Sequence, residues 1–315
     1  YLAIDAEDPE HLKGVDPDRR VRSLRVSGKA LKDFYRLQMS SGFPWCIASI
    51  PIPSWAGRVF PSLTEEQAME SLWNAIFKAV RITGDGQSVR HWQEHLESLS
   101  RRKEKLNALR LKSLHYTNSL GTDLTVELPA DHIWEAGDDC TSAGQPFVAN
   151  MPTEELFTAP LRTGANGTVV ASMPLVHDGN IIDGFRMTVE NGRITSVSAK
   201  QGQAVLEAAI SVDEGASYFG EVALVPYDSP ISNQKLLFYN TLFDENAACH
   251  IAFGDSYPGT TVGGTGLSKE ELAARGMNHS SLHEDVMIGA EDSRITGKCR
   301  DGRTVPLFEN GVWVL

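Results

Sequence analysis

The amino-acid sequence predicts a multidomain α+β protein, with a mostly helical part over residues 1–112 and a β-rich α+β part over residues 113–315. Three observations lead to this prediction. The length of 315 residues exceeds what one hydrophobic core usually holds. Before residue 112, apolar residues recur with the 3.6-residue period of a helix. After residue 113 they recur with the two-residue period of a half-buried strand.

Two helices are predicted in the N-terminal part. Thr64-Glu65-Glu66-Gln67 is a capping box, the pattern that starts a helix by satisfying its first free N–H groups. Leu72, Ile76 and Val80 follow at helical spacing, which gives this helix one apolar face. A second helix is predicted from Ser88 to about Lys112, with an apolar stripe opposite a charged face.

Alternating residues and turn signals characterise the β-rich part. Leu124 and Val126 alternate with polar residues, which predicts a strand with one buried face. Asn191-Gly192 lies between two alternating segments and predicts a hairpin, because a tight turn needs the positive φ that this dipeptide readily adopts. Short helices are predicted near residues 204–210 and after Ser268.

Composition excludes several classes of function. A net charge of −12 argues against a nucleic-acid partner, because phosphate binding needs clustered lysine and arginine. No apolar run approaches the ~18 residues of a membrane span, and no signal-peptide pattern opens the chain. The four cysteines are far apart and lack a CxxC pair, as expected for reduced thiols in a cytoplasmic protein. The chain begins with Tyr1 rather than Met, so we expect upstream sequence to be missing.

Histidines and carboxylates are concentrated between Leu237 and Asp285, and this grouping predicts a metal site. Imidazole and carboxylate are ligands that suit zinc, cobalt or manganese. His250 lies in the middle of the segment and His283 near its end. In an extended segment His283 and Asp285 point to the same face, while Glu284 points away. The HExxH motif is absent, which excludes a helix-borne zincin site.

Two further carboxylate positions have unusual surroundings. Glu221 lies in the apolar run 220–225, where it has to be paired, protonated or metal-bound because an isolated buried charge is too costly. Glu154 and Glu155 are adjacent, and by themselves they indicate a solvated loop or a helix start after Thr153. Histidines distant from these segments are predicted to lie on the surface: His91, His95 and His115.

Four segments, in this order, resemble the thermophilic-metalloprotease family of aminopeptidases. They are Met-Pro-Thr-Glu-Glu-Leu-Phe-Thr-Ala-Pro (151–160), Gly-Glu-Val-Ala-Leu-Val-Pro (220–226), Phe-Tyr-Asn-Thr-Leu-Phe-Asp-Glu-Asn-Ala-Ala-Cys-His-Ile-Ala-Phe-Gly (238–254) and His-Glu-Asp-Val-Met-Ile-Gly (283–289). Residues 51–56 and the helix from Thr64 also resemble that family's N-terminal region. The resemblance implies a catalytic domain over 113–315 and, before it, the remnant of a truncated α/β domain.

The resemblance also implies a dinuclear metal centre of zinc, cobalt, manganese or magnesium. The ligands it implies are Glu155, Glu221, His250, His283 and Asp285. Glu221 is expected to contact both ions. Glu154 is the predicted general base, although the roles of Glu154 and Glu155 could be exchanged. Tyr257 matches an active-site tyrosine and is expected to donate a hydrogen bond to the oxyanion of the tetrahedral intermediate.

This family has the activity of a metal-dependent aminopeptidase, which uses a metal-activated water to release N-terminal amino acids from peptides. The resemblance further implies a homodimer. Two alternatives remain open from the sequence. One is a dinuclear phosphoesterase, since His-x-Asp and bridging carboxylates also serve phosphoryl chemistry. The other is a catalytically inactive, truncated homologue that has kept the fold. The sequence determines neither the physiological metal nor the side-chain preference.

Overall fold

The structure of the protein, a computed structural model, describes residues 1–12, 15, 17–39, 41–177 and 179–315. Five of the α-helices in this part end before residue 110, as the helical period predicts. No helix in these ranges has a stretch both long and hydrophobic enough to span a bilayer. The α-helices are α1 (Pro17–Ala30), α2 (Lys32–Met39), α3 (Pro53–Val59), α4 (Glu65–Ala79), α5 (Ser88–Leu109), α6 (Gln203–Ala209), α7 (Thr241–Asp244) and α8 (Lys269–Ala274).

All described β-strands except the first two follow residue 110, as the alternating pattern predicts. They are β1 (Leu2–Asp5), β2 (Cys46–Ser49), β3 (Leu111–Thr117), β4 (Asp123–Glu127), β5 (Glu135–Ala136), β6 (Asp138–Cys140), β7 (Pro146–Val148), β8 (Asn150–Met151), β9 (Leu156–Thr158), β10 (Ala165–Val170), β11 (Leu175–His177), β12 (Asn180–Ile182), β13 (Arg186–Glu190), β14 (Arg193–Ser198), β15 (Phe219–Leu224), β16 (His250–Gly254), β17 (His283–Met287), β18 (Arg294–Cys299), β19 (Thr304–Glu309) and β20 (Val312–Trp313). The mixed α and β class that the sequence predicts is therefore confirmed.

Three sheets define the architecture. The largest is antiparallel, with the strand order β14-β13-β10-β4-β3-β18-β19-β20. A five-stranded antiparallel sheet has the order β17-β16-β15-β9-β5 and carries the candidate site. A small parallel sheet consists of β1, β2 and β8.

One large hydrophobic core contains residues of both antiparallel sheets and of α5. Leu114 and Val126 come from the eight-stranded sheet, Val222 and Ile251 from the five-stranded sheet, and Leu106 from the helix. All five are fully buried. Removal of this apolar surface from water is the main force that holds the two sheets together.

A second core joins the N-terminal helices to a later part of the chain. Trp55 of α3 and Leu72 of α4 are buried in the same cluster as Phe238 and Phe243. The indole Nε1 of Trp55 also donates a hydrogen bond to the Phe238 carbonyl. Because β8 extends the N-terminal parallel sheet and α5 packs in the large core as well, contacts cross residue 112 at several places. The division into domains at that residue stays a prediction.

Local signals in the sequence are confirmed where they depend on hydrogen bonds between near neighbours. The Thr64 hydroxyl accepts from the Gln67 N–H at the start of α4, and Ser268 caps α8 in the same way. Asn191 and Gly192 have φ values of 51° and 83° in the turn between β13 and β14. These positive values are what a two-residue hairpin turn requires.

Candidate metal centre

The five-stranded sheet brings together the five side chains that the sequence predicts as ligands. Glu221 lies on β15, His250 begins β16, and His283 and Asp285 lie on β17. Glu155 lies immediately before β9, which pairs with β15 on its other side. Three adjacent strands and one preceding loop therefore supply the whole set.

Strand register places these side chains on one face. Glu221 and Asp285 both pair with Ala252, from opposite sides of the central strand β16. His250 lies two residues before Ala252, so its side chain points to the same face. His283 has this relation to Asp285, whereas Glu284 points away and contacts His177, with 2.6 Å between the carboxylate and Nδ1. The predicted orientation of the His-x-Asp segment is confirmed.

The side chains form two groups that share one carboxylate. Potential ligand atoms of Glu155, Glu221 and His250 lie within 4.8 Å of one another, and so do those of Glu221, His283 and Asp285. His250 Nε2 is 3.1 Å from Glu155 Oε2 and 3.6 Å from Glu221 Oε1. His283 Nε2 is 3.8 Å from Glu221 Oε2 and 3.6 Å from Asp285 Oδ1. Glu221 thus offers one oxygen to each group.

The second nitrogen of each histidine is held by a backbone carbonyl. His250 Nδ1 lies 3.1 Å from the Ala248 oxygen, and His283 Nδ1 lies 2.9 Å from the Asp255 oxygen. Each Nδ1–H therefore donates to a carbonyl, and each Nε2 is left to face the carboxylates. A carbonyl partner of this kind fixes the tautomer and orientation of a metal-binding imidazole.

Negative charge in this site exceeds what its own histidines can balance. The carboxylates of Glu155, Glu221 and Asp285 are joined by that of Glu245, which lines the same cavity. In the described part of the chain, no lysine or arginine forms an ion pair with any of the four. Asp285 Oδ1 is buried without a hydrogen-bond partner. Burying such charge is too costly unless cations accompany it, so these residues fit divalent metal ions.

The negative charge of these carboxylates raises the pKa of both histidines. Burial alone would lower the pKa of His283, but the negative charge of the nearby Asp285 raises it to about 10. The pKa of His250 is likewise raised well above its ordinary value, because the adjacent carboxylates of Glu155 and Glu221 outweigh its burial. The pKa of Asp285 is lowered to about 2: burial would raise it, and the charge of His283 outweighs that effect. Positive charge is therefore strongly favoured at the position between these side chains.

A cavity of about 470 Å³ opens beside the cluster, a size in the range of small-molecule sites. Tyr257 lies in its wall and is 37% exposed. The Tyr257 ring packs edge-on against that of His283, with 5.0 Å between centroids. Further acidic residues of the wall are Glu135, Asp138 and Asp139, and no lysine or arginine of the described residues lines it. Lys103, which does not line the cavity, pairs with Glu135 and Asp138 and balances part of this charge. The cavity therefore favours a positively charged ligand group.

Glu154 lies away from the cavity, and its role as general base stays a prediction that its contacts do not favour. Both of its carboxylate oxygens accept hydrogen bonds from Arg81, and the residue does not line the cavity. By themselves the two adjacent glutamates indicate a solvated loop or a helix start, and that interpretation is wrong. Glu154 and Glu155 are only 4% and 8% exposed and precede a strand. His95 is not a surface residue either: its side chain is 9% exposed and contacts Glu154.

Glu245 is a site residue that the sequence analysis did not assign. It lies in a single 3₁₀ turn five residues before His250, and its side chain reaches the cavity. Burial, followed by the charges of Asp285 and Glu155, raises its pKa well above the ordinary value. The adjacent Asp244 instead accepts the backbone N–H of Phe238 at 2.8 Å. Only the position of Glu245 within the run 238–254 could have indicated its role.

The fold and the cluster define a metal-binding protein of mixed α and β structure, whose site opens into a cavity large enough for a substrate. The thermophilic metalloprotease (M29) family model matches residues 1–313. The chain belongs to this family.

Named relatives agree with this assignment. The chain is 42% identical over 313 residues to aminopeptidase AmpS of Bacillus subtilis, covering 99% of this chain and 76% of that protein. It is 41% identical over 314 residues to aminopeptidase T of Thermus aquaticus, covering 100% of this chain and 76% of the relative. The structure of AmpT from Thermus thermophilus superimposes with a TM-score of 0.91 at 40% identity, over all of this chain and 76% of that one.

Proposed function

We propose that the protein is a metal-dependent aminopeptidase that releases amino acids from peptides with a free N-terminus. The observation that carries this proposal is the pair of ligand groups that share Glu221 at the wall of an acidic cavity. The relatives named as aminopeptidases support the same activity. A cytoplasmic homodimer belongs to the proposal through the family resemblance.

Glu155, Glu221 and His250 would hold one divalent ion, and Glu221, His283 and Asp285 would hold a second. Carboxylate and imidazole ligands accept zinc, cobalt and manganese, and the oxygen-rich share of the set also suits magnesium. When bound, such ions lower the pKa of water toward neutrality and polarise a carbonyl oxygen.

Three parts of the chain would act on the substrate directly. The acidic cavity wall attracts the α-ammonium group, which restricts binding to a chain terminus. Glu245 replaces Glu154 as the candidate that takes the proton of the attacking water on its carboxylate, because it lines the cavity and has no basic partner among the described residues. The Tyr257 hydroxyl would donate a hydrogen bond to the oxyanion. Burial, followed by the charge of Glu221, raises the pKa of Tyr257, so this hydroxyl keeps its proton.

A charge argument favours the peptidase over the phosphoesterase. A phosphate ester is anionic, and phosphate sites typically present arginine or lysine to it. The described wall contains neither residue. Besides the proposed ligands it contains four acidic residues, of which Glu245 and Asp139 form no ion pair with lysine or arginine in the described chain and Glu135 and Asp138 pair with Lys103. An amine is therefore a better ligand for this cavity than a phosphate.

The test compares aminoacyl-p-nitroanilide with p-nitrophenyl phosphate after the chain is loaded with zinc or cobalt, together with a metal analysis. We expect hydrolysis of the anilide, loss of that activity with a chelator, and two bound ions. Hydrolysis of the phosphate ester alone would establish the phosphoesterase. A chain that binds metal and hydrolyses neither compound would match the inactive homologue.

The roles of Glu245 and Tyr257 are tested by conservative substitutions. Glu245→Gln is expected to lower turnover about 10²–10⁴-fold, the usual contribution of a general base. Tyr257→Phe is expected to lower turnover as well, because one hydrogen bond to the oxyanion is lost. Metal content should remain that of the wild type in both variants. Unaltered turnover in either variant removes the role assigned to that residue.

A further inference from the structure

Arg81 has a backbone conformation that glycine adopts more readily than any other residue. It follows α4 with φ 57°, in the left-handed region. The Ile82 N–H donates to the Phe77 carbonyl at 2.8 Å, the bond that closes a helix with a left-handed residue. Glycine is the usual residue there, since a Cβ destabilises this conformation. Arginine is therefore less favourable than glycine at this position, although Arg110 at the end of α5 has a similar conformation.

Two nitrogens of the Arg81 guanidinium donate hydrogen bonds to the carboxylate of Glu154. Nη2 donates to Oε2 at 2.8 Å, and Nη1 donates to Oε1. The two side chains are 14% and 5% exposed, so solvent screens the pair only weakly. A bidentate pair fixes the orientation of a carboxylate as well as its position. The face of Trp92 lies 5.9 Å from the guanidinium and limits its movement.

His95 of α5 holds the residue before Glu154. Its Nδ1 lies 3.1 Å from Arg81 Nη2, and its Nε2 lies 2.7 Å from the Thr153 carbonyl oxygen. A guanidinium can only donate, so Nδ1 accepts and Nε2–H donates to the carbonyl. Burial lowers the pKa of His95, which favours this neutral form.

A third contact, with the side chain of Asn246, restrains the backbone at Glu154. The Glu154 N–H donates to Asn246 Oδ1 at 2.7 Å, and Asn246 Nδ2 donates to the Leu242 carbonyl at 2.9 Å. The side chain of Glu154, its N–H and the carbonyl before it are thus all occupied. The next residue is Glu155, whose Oε2 lies 3.1 Å from His250 Nε2.

We propose that Arg81 is a positioning residue, which holds Glu154 so that Glu155 is fixed as a ligand of one ion only. This inference rests on the proposed dinuclear centre. The restraint acts on the group Glu155, Glu221 and His250. It does not reach His283 and Asp285, which the strand β17 holds at the far edge of the sheet. The loss of Arg81 should therefore weaken the two ions unequally.

The experiment measures the affinity of each ion in the full 315-residue chain, by competition for Zn²⁺ with a chromogenic chelator. In Arg81→Gln we expect one ion to bind up to about 10-fold more weakly, the lower end of the cost of losing a direct partner of a ligand, because Arg81 acts on Glu155 through the neighbouring Glu154. The other ion should bind with wild-type affinity. Arg81→Lys should show a smaller loss, because its ammonium keeps the charge but cannot form the two-nitrogen fork.

A matched control is available on the neighbouring helix. Arg90→Gln removes an exposed arginine–glutamate pair with Glu94 on α5 and should leave both affinities unchanged. If Arg81→Gln does not fold, Glu154→Gln, which keeps the shape of the side chain, carries the same expectation of one weakened ion.

Two results would overturn the positioning role. One is a folded Arg81→Gln chain that binds both ions with wild-type affinity. The other is an equal weakening of both ions together with a lower unfolding temperature, which would indicate a general loss of structure. A wild-type chain that binds no divalent ion would refute the proposed function itself. Metal binding by the wild type is measured first, so this outcome is distinguished from a failure of the positioning role.

Discussion

Replacing the shared carboxylate is expected to remove both ions, whereas replacing an unshared one is expected to remove a single ion. Glu221 belongs to both candidate ligand groups, while Glu155 belongs to one. Glutamine keeps the shape of glutamate but loses its charge. We therefore expect Glu221→Gln to abolish the stabilisation that metal gives the fold, and Glu155→Gln to abolish about half of it.

The size of this effect follows from mass action. At a free metal concentration 100-fold above Kd, one ion bound only to the folded state contributes about 2.7 kcal/mol. A protein of this length changes its unfolding temperature by about 2 °C per kcal/mol. Two ions should therefore raise Tm by about 10 °C in the wild type. The rise should be about 5 °C in Glu155→Gln and close to zero in Glu221→Gln.

Without metal, the same substitution should not destabilise the fold. Glu221 is 4% exposed, and its burial is the main reason that its pKa is raised. The neighbouring charges of Glu155 and Asp285 raise that pKa further. A neutral glutamine removes one negative charge from a site with too many. The metal-free Glu221→Gln chain should consequently be no less stable than the metal-free wild type.

Thermal unfolding measured with and without added Zn²⁺, after dialysis against a chelator, distinguishes these outcomes. Metal analysis of the dialysed and reloaded samples supplies the number of ions directly. A full wild-type rise in Tm for Glu221→Gln would refute the shared-ligand arrangement. A large loss of stability in the metal-free variant would show that the site is held together by its own ion pairs rather than by metal.

Two further predictions concern stability. Gly254→Ala should lower the free energy of unfolding, measured in urea, by more than about 1 kcal/mol. The reason is that φ is 110° at Gly254 and a Cβ there would lie 2.0 Å from the Leu282 oxygen. Gly57→Ala is the control and should not be destabilised, because the new Cβ has open space around it. The pKa of Asp213 is lowered to about 2, because hydrogen bonds such as those from Ser281 outweigh its burial. The stability that the ionised Asp213 contributes should therefore be present above about pH 4 and disappear as pH falls through 2. The free energies of unfolding of wild type and Asp213→Asn, measured in urea, should differ at pH 6 and converge toward pH 2. A difference that stays constant with pH would contradict this prediction.

The sequence predicted those parts of the site that depend on strand geometry. His283 and Asp285 converge because alternate residues of one strand share a face, and Glu284 points away for the same reason. Glu221 stood out because a carboxylate in an apolar run needs a partner. Neither inference required knowledge of distant residues, and the structure places all three carboxylates as expected.

The sequence could not distinguish the roles of Glu154 and Glu155. Consecutive residues of an extended segment point in opposite directions, so one glutamate faces the cavity and the other faces away. The one that faces away, Glu154, pairs with Arg81, which is 73 positions distant and carries no motif that marks it as a partner. His95 was misjudged for the same reason, since a histidine on a charged helix gives no sign of a buried contact.

The position of Arg81 also shows that residues on both sides of residue 112 contribute to the surroundings of the candidate site. The metal cluster is built on strands that follow this residue. Glu154, the residue before its first carboxylate, is nevertheless bound by Arg81 at the end of α4, and the Thr153 carbonyl is bound by the imidazole of His95 on α5. The same helices share a buried core with Phe238 and Phe243, which lie just before Glu245. The segments that lead into Glu155 and Glu245 therefore contact the N-terminal helices. Any loosening of α4 or α5 should reach the metal centre through Glu155 before it affects His283 and Asp285.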